Sequence, residues 1–174
     1  MELIGDIEFN NEANGTYHEV ATGLTTLKIK SDTLKEIAPK AFGFGNTTPT
    51  TLEFLNELGT GVNSSIKTIG DSAFINAKPA TLILPTSLET LGANAFTFAT
   101  PTTLVMSPAI KNIQDYAFRS LAIELLTIPS TIESIGSQAF DSMPETSTIT
   151  VNKAEGSFIT ETGWNGDATV IYNP

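Results

Sequence analysis

The dipeptide Ala-Phe recurs along this chain at a fixed interval. Ala73-Phe74, Ala95-Phe96, Ala117-Phe118 and Ala139-Phe140 each lie 22 residues apart, and Ala41-Phe42 stands 32 residues before the first of them. A period in this range is the signature of a solenoid, in which each unit is one supersecondary element stacked on the next.

The repeat is more than a dipeptide. Eight residues after Phe74, Phe96 and Phe118 begin the short apolar runs Leu82-Ile83-Leu84, Leu104-Val105-Met106 and Leu126-Thr127-Ile128. The outer two side chains of each run share one face of a strand, and the central one points the other way. Pro85, Pro108 and Pro129 stop strand extension and start a turn. An aliphatic pair follows at i and i+3: Leu88 and Leu91, Ile110 and Ile113, Ile132 and Ile135. This pair predicts a second wall of the core. Gly70, Gly92 and Gly136 come next and are expected to allow a tight bend. The residues up to Phe are expected to make one helical or 3-10 turn. No unit can bury its apolar face alone, so neighbours stack, and their strands form a parallel sheet with the Phe column as its spine.

Irregularities mark insertions. Leu27-Lys28-Ile29 and Leu52-Glu53-Phe54 are earlier strands, and an insertion within Asn56 to Ser65 delays the next aliphatic pair to Ile66 and Ile69. One domain results: an N-terminal cap over 1–23, repeats over 24–152 and a C-terminal cap over 153–174. The last holds the only Trp, Trp164, and a terminal alternating edge strand from Ala168 to Tyr172.

The string Ile66-x-x-Ile69-Gly70-x-x-Ala73-Phe74, recurring before Leu-x-Leu-Pro, resembles the BspA-type leucine-rich repeat. The closing Trp164-Asn165-Gly166-Asp167-Ala168-Thr169-Val170-Ile171 resembles the cap after such arrays. The family often carries Cys three residues after Phe; here Gly45, Ala77, Ala99, Leu121 and Met143 stand there, small or apolar residues that keep the packing role. The resemblance implies an α/β class fold, a right-handed solenoid with its parallel sheet on the concave side. It also implies a bacterial cell-surface or secreted protein of adhesive or protein-binding type, with no catalytic residues to carry over.

Composition narrows the partners. The net charge is −10 with only 9 Lys and Arg, which argues against nucleic acid and against an anionic membrane surface. There is no Cys, hence no disulfide or thiolate metal site, and no apolar run long enough to span a bilayer. Met1 to Asn10 lacks the basic and apolar regions of a signal peptide, so export would need a leader outside this chain. The single His, His18, sits in a Gly/Asn-rich segment and serves no nucleophile elbow. With one His and no Cys, a His- or thiolate-based metal site is not expected; carboxylates such as Glu89, Asp115 and Glu133 fall in turns, and no cofactor is implied. Asn14, Asn46 and Asn63 each open a glycosylation sequon.

What remains is the outward strand face. Its line is Lys28, Glu53, Ile83, Val105, Thr127 and Thr150, with Leu125 beside it. Exposed aliphatics ringed by hydroxyls suit a protein-binding patch, although β-branched residues also simply suit strands. The sequence therefore predicts a non-catalytic module that binds a protein or glycan through this face. The insertion at 56–65 is a second candidate. A structural subunit of a larger assembly, such as a phage particle, is the alternative.

Overall fold

The computed structural model describes residues 6–7, 26–42, 50–56, 58 and 61–174. The N-terminal cap, apart from Asp6 and Ile7, lies outside the described residues. So do His18, Asn14, Asn46 and Gly45.

Each coil contributes one longer strand and one two-residue strand. The longer strands follow β1 (Asp6–Ile7) as β2 (Thr26–Lys30), β4 (Thr51–Leu55), β6 (Thr81–Ile83), β8 (Thr103–Val105), β10 (Leu125–Ile128), β12 (Thr148–Val151) and β14 (Thr169–Tyr172). They pair in parallel in three blocks, β1-β2-β4, β6-β8 and β10-β12-β14. Alternation decides which side is core: Leu27, Ile29, Leu52, Phe54, Leu82 and Ile128 are buried, and the residues between them face outward.

The opposite wall is also a sheet. The short strands β3 (Glu36–Ile37), β5 (Thr68–Ile69), β7 (Thr90–Leu91), β9 (Asn112–Ile113), β11 (Ser134–Ile135) and β13 (Ile159–Thr160) form one continuous six-stranded parallel ladder. The second aliphatic of each pair, Ile69, Leu91, Ile113 or Ile135, is buried from this side. The sequence indicated a wall here but not a ladder, because two residues are too few to show a period of two.

No helix is found among the described residues, which corrects the expected helical turn. Two consecutive turns take its place. In one coil Ala73 N–H donates to Gly70 O at 3.3 Å, and Ala77 N–H donates to Phe74 O at 3.0 Å. The third residue of each turn has positive φ, 56° at Ser72 and 66° at Asn76, as type II turns require there. The alternate N–H groups point along the stack: Ser72, Phe74 and Asn76 donate to Ala93, Ala95 and Thr97 O at 2.8, 2.9 and 2.9 Å. A helix would spend those donors within its own segment. Here they stitch coil to coil.

Inside runs the Phe column. Phe42, Phe74, Phe96, Phe118 and Phe140 stack with centroid separations of 5.2, 5.2, 5.8 and 5.5 Å and planes within 12°. Trp164 ends the column edge-on to Phe140, at 6.2 Å and 76°. Ala77, Ala99, Leu121 and Met143, the family's Cys positions, are buried as expected. Residues 153–174 add a further coil: β13 pairs with β11, and β14 pairs with β12 as an edge strand. Trp164 stands where earlier coils carry Phe, and Phe140 N–H donates to its carbonyl at 2.8 Å.

Gly70, Gly92 and Gly136 are not needed for a bend, since none has positive φ. They are needed for closeness. A Cβ on Gly70 would meet Pro39 N at 2.5 Å, and one on Gly92 would meet Asp71 N at 2.6 Å.

Candidate functional site

All seven sequence-predicted residues lie on outward positions of the long strands, and the register brings them into lines. Lys28 pairs with Glu53, Ile83 with Val105, and Thr127 with Thr150. Leu125 stands in the neighbouring line, paired with Thr148. Leu125, Val105 and Ile83 are 74%, 46% and 39% exposed. The face has two chemistries. At the N-terminal end Lys28 Nζ meets Glu53 Oε2 at 3.3 Å, a partly exposed ion pair of small energetic weight. From β6 onward no outward strand residue is charged.

Between β4 and β6 the ladder opens. A cleft of about 340 Å³ lies there, lined among others by Glu53, Phe54, Leu55, Val62 and Ile83. The insertion accounts for it. Leu55 and Val62 form an antiparallel bridge, Asn56 N–H donates to Gly61 O at 2.8 Å, and Asn63 N–H donates to Phe54 O at 3.0 Å. The end of β4 is thus closed by its own hairpin. Ala80 N–H still reaches Thr50 O at 3.1 Å, so the coils touch at the start of the strands and part further along. Leu58, on the hairpin, is 82% exposed. Of the cleft's lining, Glu53 and Ile83 stand in the line expected from sequence, and Thr51, Leu55 and Thr81 flank that line; Val62 was not expected there. The signal for Val62 was the insertion itself.

Asn63 anchors the hairpin. It is fully buried. Its Oδ1 accepts from Ser65 N and Ile66 N at 2.8 and 2.9 Å, and its Nδ2 donates to the carbonyls of Ser31 and Leu55. With every polar atom engaged, Asn63 is closed to glycosylation in the folded chain. Equivalent turns use Ser31 and Ser107, whose hydroxyls accept from Leu34 N and Ala109 N at 2.9 and 3.2 Å.

The acids that sequence placed in turns serve the stack. Glu89 takes Lys67 and Lys111 at 2.7 Å each, a ladder across three successive coils. Their hydrogen bonds, that of Lys111 foremost, hold the Glu89 carboxyl at about 2, and the same contact raises Lys111. Asp71 Oδ1 accepts from Ala93 N at 2.9 Å, and Asp115 Oδ1 from Ser137 N at 2.8 Å. Among the described residues no group of three His, Cys, Asp or Glu side chains could hold a metal ion. Nor is any helix among the described residues long and apolar enough to cross a membrane.

Two parallel walls, a buried Phe per coil and buried residues at the Cys positions are what the repeat string demands. Six copies of the BspA type leucine rich repeat region match residues 14–147. The chain belongs to this family. Among solved structures, this BspA-type chain is similar to one described as the crystal structure of pneumococcal vaccine antigen PcpA. The TM-score is 0.60 with 26% identity, over 86% of this chain and 35% of that one. The chain thus spans about a third of that structure. No curated protein matches it.

Proposed function

We propose that this BspA-type chain is a non-catalytic binding module of cell-surface or extracellular type, engaging a protein or glycan through its long-strand face. The cleft between β4 and β6 is the observation that carries the reading. It puts Leu55, Val62 and Ile83 around an opening large enough for one partner side chain or sugar ring. Small numbers of apolar anchors in such pockets dominate binding energies. Charge at its edge comes from Glu53, already tied to Lys28. The surface location is supported by the family and by the likeness to a pneumococcal vaccine antigen.

The test is binding of the full chain to a panel of matrix proteins and immobilised glycans, with Ile83→Glu and Val105→Glu beside it. Both positions are exposed, so the variants should melt as the parent does. Binding that survives both substitutions removes the strand face from the proposal.

A further inference from the structure

The last coil lacks the cover that every inner coil has. Ile149 and Val151 of β12 are fully buried, with β14 paired alongside. Val170 and Tyr172 hold the same register positions on β14 and are only half-buried. Phe158, 6.5 Å from Trp164 and 6.4 Å from Tyr172, is half-buried beside them. Among the described residues no strand pairs with the far edge of β14.

The backbone of that edge has a definite pattern. Thr169 N–H donates to Ser147 O at 2.9 Å, and Asn173 N–H donates to Val151 O at 2.8 Å. Pairing of this kind alternates, so Thr169, Ile171 and Asn173 turn their N–H and C=O groups toward β12. Val170 and Tyr172 turn theirs the other way. Other edges are managed. The end of β4 is closed by its hairpin, and β13 has only two residues. Natural sheets blunt an edge with Lys, Pro, a bulge, shortness or a covering loop. The four residues of β14, Thr169 to Tyr172, carry none of these devices.

What such an edge accepts is another strand, and its own geometry selects which. Set a second β14 antiparallel to the first, with Ile171 opposite Ile171 of the second copy. Val170 then faces Tyr172 of the second copy, and each donates its N–H to the other's carbonyl. The symmetry-related pair does the same, so no outward group of either strand is left over. The edge is complementary to itself. Residues 168–174 bear no charged side chain, so no like charges meet along the seam. On the core side the half-buried Val170 and Tyr172 of both copies come together. We propose that two copies of this chain associate end to end about a two-fold axis at Ile171, joining their β10-β12-β14 sheets into one. Such a contact consumes the edge, so assembly closes at two. The inference does not depend on the cleft or the strand face binding a partner.

Sedimentation of the full chain from micromolar to near-millimolar concentration measures the mass, and amide exchange locates the contact. The mass is expected to rise from 18.5 kDa to twice that and no further. Exchange of the Val170 and Tyr172 amides should slow as it does. Ile171→Lys sets two ammonium groups opposite each other at a half-exposed position. It should weaken association at least about tenfold while melting as the parent does. Val170→Pro removes an N–H that points away from β12 and should stay monomeric; if it melts early, Ile171→Lys carries the test alone. Val105→Lys, on the strand face, should dimerise as the parent does. A parent chain that stays monomeric or grows past two copies overturns the proposal. So does undiminished association of folded Ile171→Lys, or loss of the dimer in Val105→Lys.

Discussion

Gly92 lies so close beneath Asp71 that a methyl group in place of its hydrogen would stand 2.6 Å from both the Asp71 backbone nitrogen and its Oδ1. The same relation holds two coils further along between Gly136 and Asp115, where Oδ1 would be 2.3 Å away. In each pair the carboxylate accepts an N–H from the residue after the glycine, Ala93 or Ser137. The intervening coil has Ala93 in the Asp position and Gln114 in the glycine position. That coil pair also has the widest Phe spacing, 5.8 Å. Gly92→Ala and Gly136→Ala should therefore each cost about 1–3 kcal/mol through forced coil separation. Gln114→Ala should stay within about 0.5 kcal/mol. Urea midpoints of the three variants decide it.

The Phe column should dominate stability. Phe118 is fully buried and stacked on both sides, 5.8 Å from Phe96 and 5.5 Å from Phe140. Phe118→Ala, like Phe96→Ala, should cost roughly 3–5 kcal/mol, since transfer and cavity terms add. Thermal melts within a degree of the parent for both would contradict the column as spine.

The Lys67–Glu89–Lys111 ladder predicts an acid dependence. The folded pKa of Glu89, about 2, lies below its ordinary value of 4.5 because Lys111 and Lys67 hydrogen-bond its carboxylate. A carboxyl with a depressed folded pKa stabilises above its unfolded pKa, and that contribution disappears as pH falls through the folded value. The stability gap between the parent and Glu89→Gln should be constant at neutral pH, shrink between 4.5 and about 2, and vanish below. Denaturation at a pH series for both chains measures it; a gap unchanged across that window would refute the assignment.

Ser142 occupies the left-handed region with φ 58°. For an L-residue that region costs roughly 1–2 kcal/mol, partly offset in Gly by the entropy of the unfolded chain. Ser142→Gly should raise stability by up to about 1 kcal/mol, and β-branched Ser142→Val should lower it by at least as much. The order of the three melting temperatures is the check.

Asn63→Ala should loosen the hairpin. It removes the acceptor of Ser65 N and Ile66 N and the donor to Ser31 O, leaving buried groups unpaired. Each such group costs about 1–3 kcal/mol. Amide exchange should rise first over residues 61–66.

Much of the fold was legible because burial here is periodic. Leu82, Leu88, Leu91, Ala95 and Phe96 repeat in step, and each is buried. The outward positions Ile83, Val105 and Leu125 followed from strand alternation alone. The turn before each Phe was not legible. Ser72, Asn94, Tyr116 and Gln138 share a left-handed conformation but no residue type, so no local preference announced it. What holds Ser72, Asn94 and Tyr116 there is the stack, through N–H groups that reach Ala93, Asp115 and Ser137 of the next coil.

The cleft divides the same way. An insertion at 56–65 could be counted, but the parting of β4 from β6 could not. It depends on where Val62 and Asn63 return against Leu55 and Phe54, a contact made only when the hairpin closes. The sequence by itself determined the stacking, its period and its inside and outside, since hydrophobic burial is written in spacing. Tertiary structure alone decided how closely coils approach, which backbone donors they share and where the sheet opens, because those depend on contacts that exist only once coil has stacked on coil and the hairpin has closed.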